Sequence, residues 1–109
     1  MDIKLDNTKA QMRKGTLELC ILSILKNKDS YVSEIIDILK EAKIIVVEGT
    51  LYPLLNRLKN SELLAYRWEE SKQGPPRKYY FITEKGIIVL NDLHKTWDDL
   101  VLSVENLLK

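Results

Sequence analysis

Apolar residues recur at helical spacing through most of the chain and switch to strand alternation in only one place. Leu17, Cys20, Ile21, Ile24 and Leu25 form one stripe, predicting a first helix over residues 9–27. Asn27, Lys28, Asp29 and Ser30 break it. Ser30 is placed to cap a second helix of about three turns carrying Val32, Ile35, Ile36 and Leu39. Ile44 to Val47 reads as a β-branched link. A third helix follows with Leu51, Leu54, Leu55 and Leu58 on one side, and Leu63 and Leu64 open a strand along which Trp68 lies. Gln73, Gly74, Pro75, Pro76, Arg77 and Lys78 form the turn, Lys78 to Ile82 alternates into a second strand, and Thr83 with Glu84 caps a last helix running to the C-terminus. The predicted fold is mainly α (α+β): three helices, a β-hairpin and a long C-terminal helix, with no internal repeat. Residues 1–83 are expected to form a winged helix-turn-helix and residues 84–109 a dimerisation helix, together one compact unit.

The third helix sets the expectation of function. At about 100° per residue its leucines cluster on one side, leaving Gly49, Tyr52, Pro53, Asn56, Arg57 and Asn60 on the other. Any amphipathic surface helix has a polar face, so this face gains meaning from the hairpin beside it. The hairpin offers Lys72, Arg77 and Lys78 on an approach stiffened by Pro75 and Pro76. A polar helix next to a basic hairpin suits duplex DNA, with the helix in the major groove and the hairpin on the backbone. Arg57 has the fork for guanine or a phosphate, Asn56 and Asn60 the amides for adenine, and Tyr52 and Pro53 apolar edges for a thymine methyl.

Composition bounds this reading more than it supports it. The chain has 109 residues, 45% hydrophobic and 30% charged, one domain's length with an ordinary globular balance. The net charge is only +1, but it is unevenly spread. Residues 1–48 carry eight basic and eight acidic side chains, residues 49–80 six against three, and residues 81–109 three against five. The surplus falls on the helix–hairpin segment, where phosphates would lie. No apolar run approaches the roughly 18 residues of a membrane span, and the N-terminus, with Asp2, Lys4, Asp6 and Lys9, lacks a signal-peptide core. A cytoplasmic protein without membrane partners is expected. One cysteine, Cys20, and one histidine, His94, make neither an internal disulfide nor a metal cluster, and no nucleophile–base set or phosphate loop is present. Neither cofactor nor metal nor enzymatic activity is expected. Cys20 reads as a small buried hydrophobe.

Two motifs give the chain a resemblance to a known family. Glu48, Gly49, Thr50, Leu51, Tyr52, Pro53, Leu54 and Leu55, then Arg57 and Leu58, resemble the recognition-helix motif of the PadR family of bacterial winged-helix transcription regulators. Gly74, Pro75, Pro76, Arg77, Lys78, Tyr79 and Tyr80 resemble its wing, and Thr83, Glu84 and Gly86 open the last helix as in that family. The brevity is similar to the short subfamily with a single C-terminal dimerisation helix. The resemblance implies a sequence-specific DNA-binding repressor, homodimeric, with Ser33, Thr50, Tyr52, Pro53, Asn56, Arg57, Asn60, Lys72, Arg77 and Lys78 toward the operator. Two departures stand out. Val47 replaces a small capping residue, which leaves open whether the third helix starts there or with Thr50 as cap and Pro53 in the first turn. Tyr31, Val32, Ser33 and Glu34 replace a Tyr-Gly-Tyr-Glu pattern, so an aromatic DNA contact becomes a serine.

The last helix argues independently for a dimer. Gly86, Leu90, Leu93, Trp97, Leu100, Val104 and Leu107 are spaced 4, 3, 4, 3, 4 and 3, a heptad seam of three repeats, with Val101 and Leu108 widening it. Leu90, Leu93, Trp97, Leu100, Val104 and Leu107 are the expected dimer contacts, and a two-fold dimer predicts inverted half-sites on DNA. In multidrug-sensing members of the short subfamily a tryptophan at the place of Trp97 stacks on flat aromatic compounds between subunits. The resemblance implies that Trp97, with Val101, Gly15 and Leu19, lines such a pore for a small aromatic or phenolic effector; a filled core around a Trp pair is the alternative. A second function class also fits: a winged-helix protein–protein interaction module that pairs through the same seam without specific DNA binding.

Overall fold

In a computed structural model, which describes residues 5–109, the chain runs α1 (Leu5–Lys14), α2 (Leu17–Asn27), α3 (Val32–Glu41), α4 (Glu48–Asn60), β1 (Leu64–Ser71), β2 (Gly74–Ile82) and α5 (Glu84–Leu108). Asp2 and Lys4, and the first residues of the expected 1–83 unit, lie outside the described residues. Helices α2, α3 and α4 enclose the core, the antiparallel β1–β2 hairpin packs on them, and α5 leaves along α2.

The expected first helix over 9–27 is two helices. Gly15 lowers helix propensity at the break, and the Thr16 hydroxyl donates to the Arg13 carbonyl at 2.8 Å, competing with the helical ladder. α1 buries no side chain, whereas α2 buries Leu17, Ile21, Leu22 and Leu25. Ser30 does not cap α3. It is fully buried and exchanges backbone hydrogen bonds with Tyr80 at 3.1 and 2.9 Å, adding a bridge to the hairpin. The cap residue is Tyr31, whose N–H donates to the Glu34 carboxylate at 3.2 Å.

α4 starts after Val47, which settles the alternatives left by the sequence. Thr50 and Leu51 both donate to the Val47 carbonyl, at 3.0 and 3.1 Å, so Pro53 falls inside the helix and the Gly49 carbonyl loses its helical donor. Gly49 is exposed, so water can replace that bond. Leu51, Leu54, Leu55 and Leu58 are all buried, each burial worth about 1.5–3 kcal/mol. α3 and α4 both end in the same motif. Ile44 donates to Leu39 and Lys43 to Lys40; Leu63 donates to Leu58 and Glu62 to Lys59, which requires positive φ at Lys43 (66°) and Glu62 (65°).

The hairpin is longer than the sequence suggested. Its turn is Lys72–Gln73, and Pro75 to Lys78 already belong to β2. Tyr66 pairs with Tyr80 and Trp68 with Lys78 on one face, Arg67 with Tyr79 and Glu69 with Arg77 on the other, and the register slips between Glu69 and Ser71. Pro75 and Pro76 are tolerated because a two-stranded sheet consists of edges.

Thr83 joins hairpin to α5 as expected. Its hydroxyl accepts from the Gly86 N–H at 3.0 Å and donates to the Glu62 carbonyl at 2.7 Å, while its own N–H reaches the Leu63 carbonyl at 3.1 Å. Gly86 is obligatory for packing: a Cβ there would collide with the Leu63 carbonyl and come within 2.7 Å of Ile82 Cγ1. Gly86→Ala should therefore destabilise the protein by about 1–3 kcal/mol in urea melts. Glu62→Gly, which relieves the left-handed residue ending α4, should stabilise it by about 0.5–1 kcal/mol, with Thr83 still bonded to the same carbonyl.

Candidate nucleic-acid interface

The leucines of α4 are turned into the core, so its remaining residues are sorted by angle into an outer face and two flanks. Pro53, Asn56 and Asn60 lie on the exposed outer face, Asn60 at the far C-terminal end. Glu48 and Tyr52 occupy the flank toward the hairpin. Thr50 and Arg57 occupy the opposite flank, toward α1 and α2.

On the hairpin side, Tyr52 and Glu48 face Trp68, Pro76, Arg77 and Lys78 across a groove of about 380 Å³ whose end is closed by Tyr31 and Ser33 at the start of α3. Four of the expected DNA contacts, Ser33, Tyr52, Arg77 and Lys78, thus line one concavity. The two cations are held by aromatic rings. Arg77 lies 4.5 Å over Tyr31, and the Lys78 ammonium lies 4.4 Å from Tyr66 and 5.3 Å from Trp68. Tyr31 is itself braced edge-on by Tyr79 at 5.1 Å. The Tyr80 phenol at the groove floor is pushed above its ordinary pKa, first by burial and then by Tyr52 and Tyr66 nearby. Lys72 stands at the exposed hairpin tip, apart from this groove.

Two arginines counted in the basic surplus are already paired. Arg57 forms an ion pair with Glu18 of α2. Arg67 bridges Asp29 at 2.7 Å and Glu69 at 2.9 Å, and these hydrogen bonds, to Asp29 first, raise its pKa further. The Lys28–Glu34 pair at 2.8 Å likewise raises the Lys28 pKa, chiefly through the hydrogen bond. Sequence reading missed Glu18, Tyr31 and Trp68 as members of this surface. Trp68, 61% exposed on the wing, carried the clearest signal, a large aromatic in a polar strand.

The last helix is covered only at its start. Gly86 and Leu90 are buried and Leu93 half-buried, but Trp97, Leu100, Val104 and Leu107 are exposed, Leu107 at 84%. Trp97 separates two hollows. One, of about 540 Å³, brings together Gly15, Met12, Leu100, Val101 and Val104; the other, of about 480 Å³, is lined by Leu19, Cys20, Leu90 and His94. The expected ligand residues Gly15 and Val101 share the first hollow, and Leu19 belongs to the second. No group of His, Cys, Asp and Glu suited to a metal occurs among the described residues, and no helix among them is long and apolar enough to cross a membrane.

Three helices with a polar reader helix exposed beside a basic two-stranded wing define a winged helix. The transcriptional regulator PadR-like family model matches residues 21–92. A PadR-like transcription factor structure from Bacteroides fragilis is 56% identical, covering 93% of this chain and 98% of that one, with a TM-score of 0.78. A PadR family transcriptional regulator from Eggerthella lenta is 33% identical over 96% of this chain and 92% of its own, with a TM-score of 0.89. A PadR-like regulator from Bacillus cereus is 39% identical over 91% and 97%, at 0.79. The chain belongs to the PadR-like family, and it is a DNA-binding transcriptional regulator.

Cys20 reports on the second hollow. Burial pushes its thiol pKa up, against a smaller lowering by the Thr16 hydroxyl, so the thiolate is scarcer than in a free cysteine at the same pH. Alkylation at neutral pH should be several-fold slower than for the urea-unfolded chain, with its rate midpoint displaced to higher pH.

Proposed function

We propose that the protein is a homodimeric repressor that occupies an inverted-repeat operator, including one at its own promoter. The observation that carries the DNA-reading part is the groove in which Tyr52 and Ser33 face Arg77 and Lys78. The reader helix enters the major groove with Tyr52, Pro53 and Asn56 toward base edges, and the wing lies on phosphates. Ring-held cations favour this use, because less side-chain freedom is lost when a phosphate is met.

The uncovered seam of α5 supports the dimer. An exposed run of Trp97, Leu100, Val104 and Leu107 is the kind of apolar stripe that a second copy covers. Residues up to 83 then act as the DNA-binding unit and residues 84–109 as the dimerisation helix. A two-fold axis through α5 sets two reader helices about 34–36 Å apart, matching half-sites on one face of the duplex. The hollows beside Trp97 support an effector site for a flat aromatic or phenolic compound; such a ligand releases DNA by favouring a dimer whose reader helices are wrongly spaced.

Titration of the protein against its own upstream DNA and an unrelated duplex at two salt concentrations tests the reading. Preference for the upstream DNA, falling steeply with salt, and a loss of about tenfold or more on Arg77→Ala/Lys78→Ala are expected. Absence of binding to either duplex at low salt would instead assign these surfaces to a protein partner. Leu100→Asp/Val104→Asp should give a monomer in sedimentation and lose operator binding with it.

A further inference from the structure

The flank of α4 away from the wing is basic too, but its charge comes from another element. Arg13 and Lys14 form the last turn of α1 and, with Ala10, meet Val47 and Thr50 at the start of α4 around a shallow cleft of about 290 Å³. Both cations are exposed, and neither has a carboxylate partner among the described residues. Glu18, an acid in the first turn of α2, is taken by Arg57. Lys9 and Arg13, four residues apart, stack like charges on one side of α1, and α1 buries no side chain, so this arrangement disfavours the isolated helix and is not explained by packing.

A helix lying in the major groove has a phosphate backbone on each side, because the groove is about 12 Å wide and walled by both strands. The wing serves one wall. We infer that Arg13 and Lys14, with the exposed Thr50 hydroxyl, form a second phosphate contact that holds the opposite wall, so that the reader helix is clamped from both flanks. This inference rests on the DNA-reading function proposed above. On this flank the clamp, rather than the Glu18-bound Arg57, supplies the free positive charge, and it acts on position and affinity without choosing bases.

The test is Arg13→Gln/Lys14→Gln, titrated on the upstream duplex and an unrelated duplex across a salt series, beside the wing pair Arg77→Gln/Lys78→Gln. Both duplexes should be bound about tenfold or more weakly, by a similar factor, with the log–log salt slope reduced by nearly 2 for each bound protomer, about 3.6 for a dimer. Lys14→Gln alone should take about half of that slope change, and the charge-preserving exchange Arg13→Lys/Lys14→Arg should restore both affinity and slope. Sedimentation and melting of the neutral variant should match the parent protein. Unchanged affinity and slope in the neutral variant, with the wing variant impaired, would overturn the clamp while leaving the DNA-reading function standing. Loss confined to the upstream duplex at constant slope would also overturn it, by making the pair base readers. Failure of the parent protein to bind either duplex would remove the function itself and the clamp with it.

Discussion

The burial of one side of α4 is the constraint on which the rest depends. Leu51, Leu54, Leu55 and Leu58 fix the rotation of this helix about its axis, and with it which residues face the hairpin, which face solvent and which face α1. A rotation by one residue, about 100°, would put a leucine on the surface and bury a polar group, costing several kcal/mol. Because the four leucines insert together, the recognition surface is held by the core. The two ends of the helix are set by equally specific contacts. Val47 supplies a carbonyl at the start, and the left-handed Glu62 turns the chain directly into β1, so reader helix and wing are separated by very few residues.

Thr83 and Gly86 extend that coupling to the last helix. One hydroxyl binds the end of α4 and caps α5, and a missing Cβ lets α5 start against the Leu63 backbone. The direction of α5 is therefore tied to the end of the reader helix. In the proposed dimer along α5, a change in its crossing angle would move the reader helices, and the proposed effector beside Trp97 would act on DNA by that path.

Much of this was legible in the sequence because the hydrophobic periods are clean. The leucine quartet, the capping Thr83, the heptad seam and the order of elements follow from spacing alone. What the sequence concealed were one local bond and several interactions between residues far apart in the chain. Gly15 and Thr16 split the first helix through a local hydroxyl–carbonyl bond that periodicity does not register. Ser30 has the composition of a cap but was drawn into a bridge with Tyr80, fifty residues on. Arg57 and Arg67 counted as free charge until Glu18 and Asp29 met them in three dimensions. The cations that matter at the groove, Arg77 and Lys78, are held over rings of Tyr31, Tyr66 and Trp68, and only the hairpin register and the fold bring those together.

Hydroxyl-radical footprinting of the protein on its own upstream DNA tests the central claim, a reader helix and wing presented twice by a dimer. The account predicts two protected patches related by inverted sequence, centred about one helical turn apart on the same face of the duplex. A single patch without an inverted partner, or no protection at low salt, would contradict it.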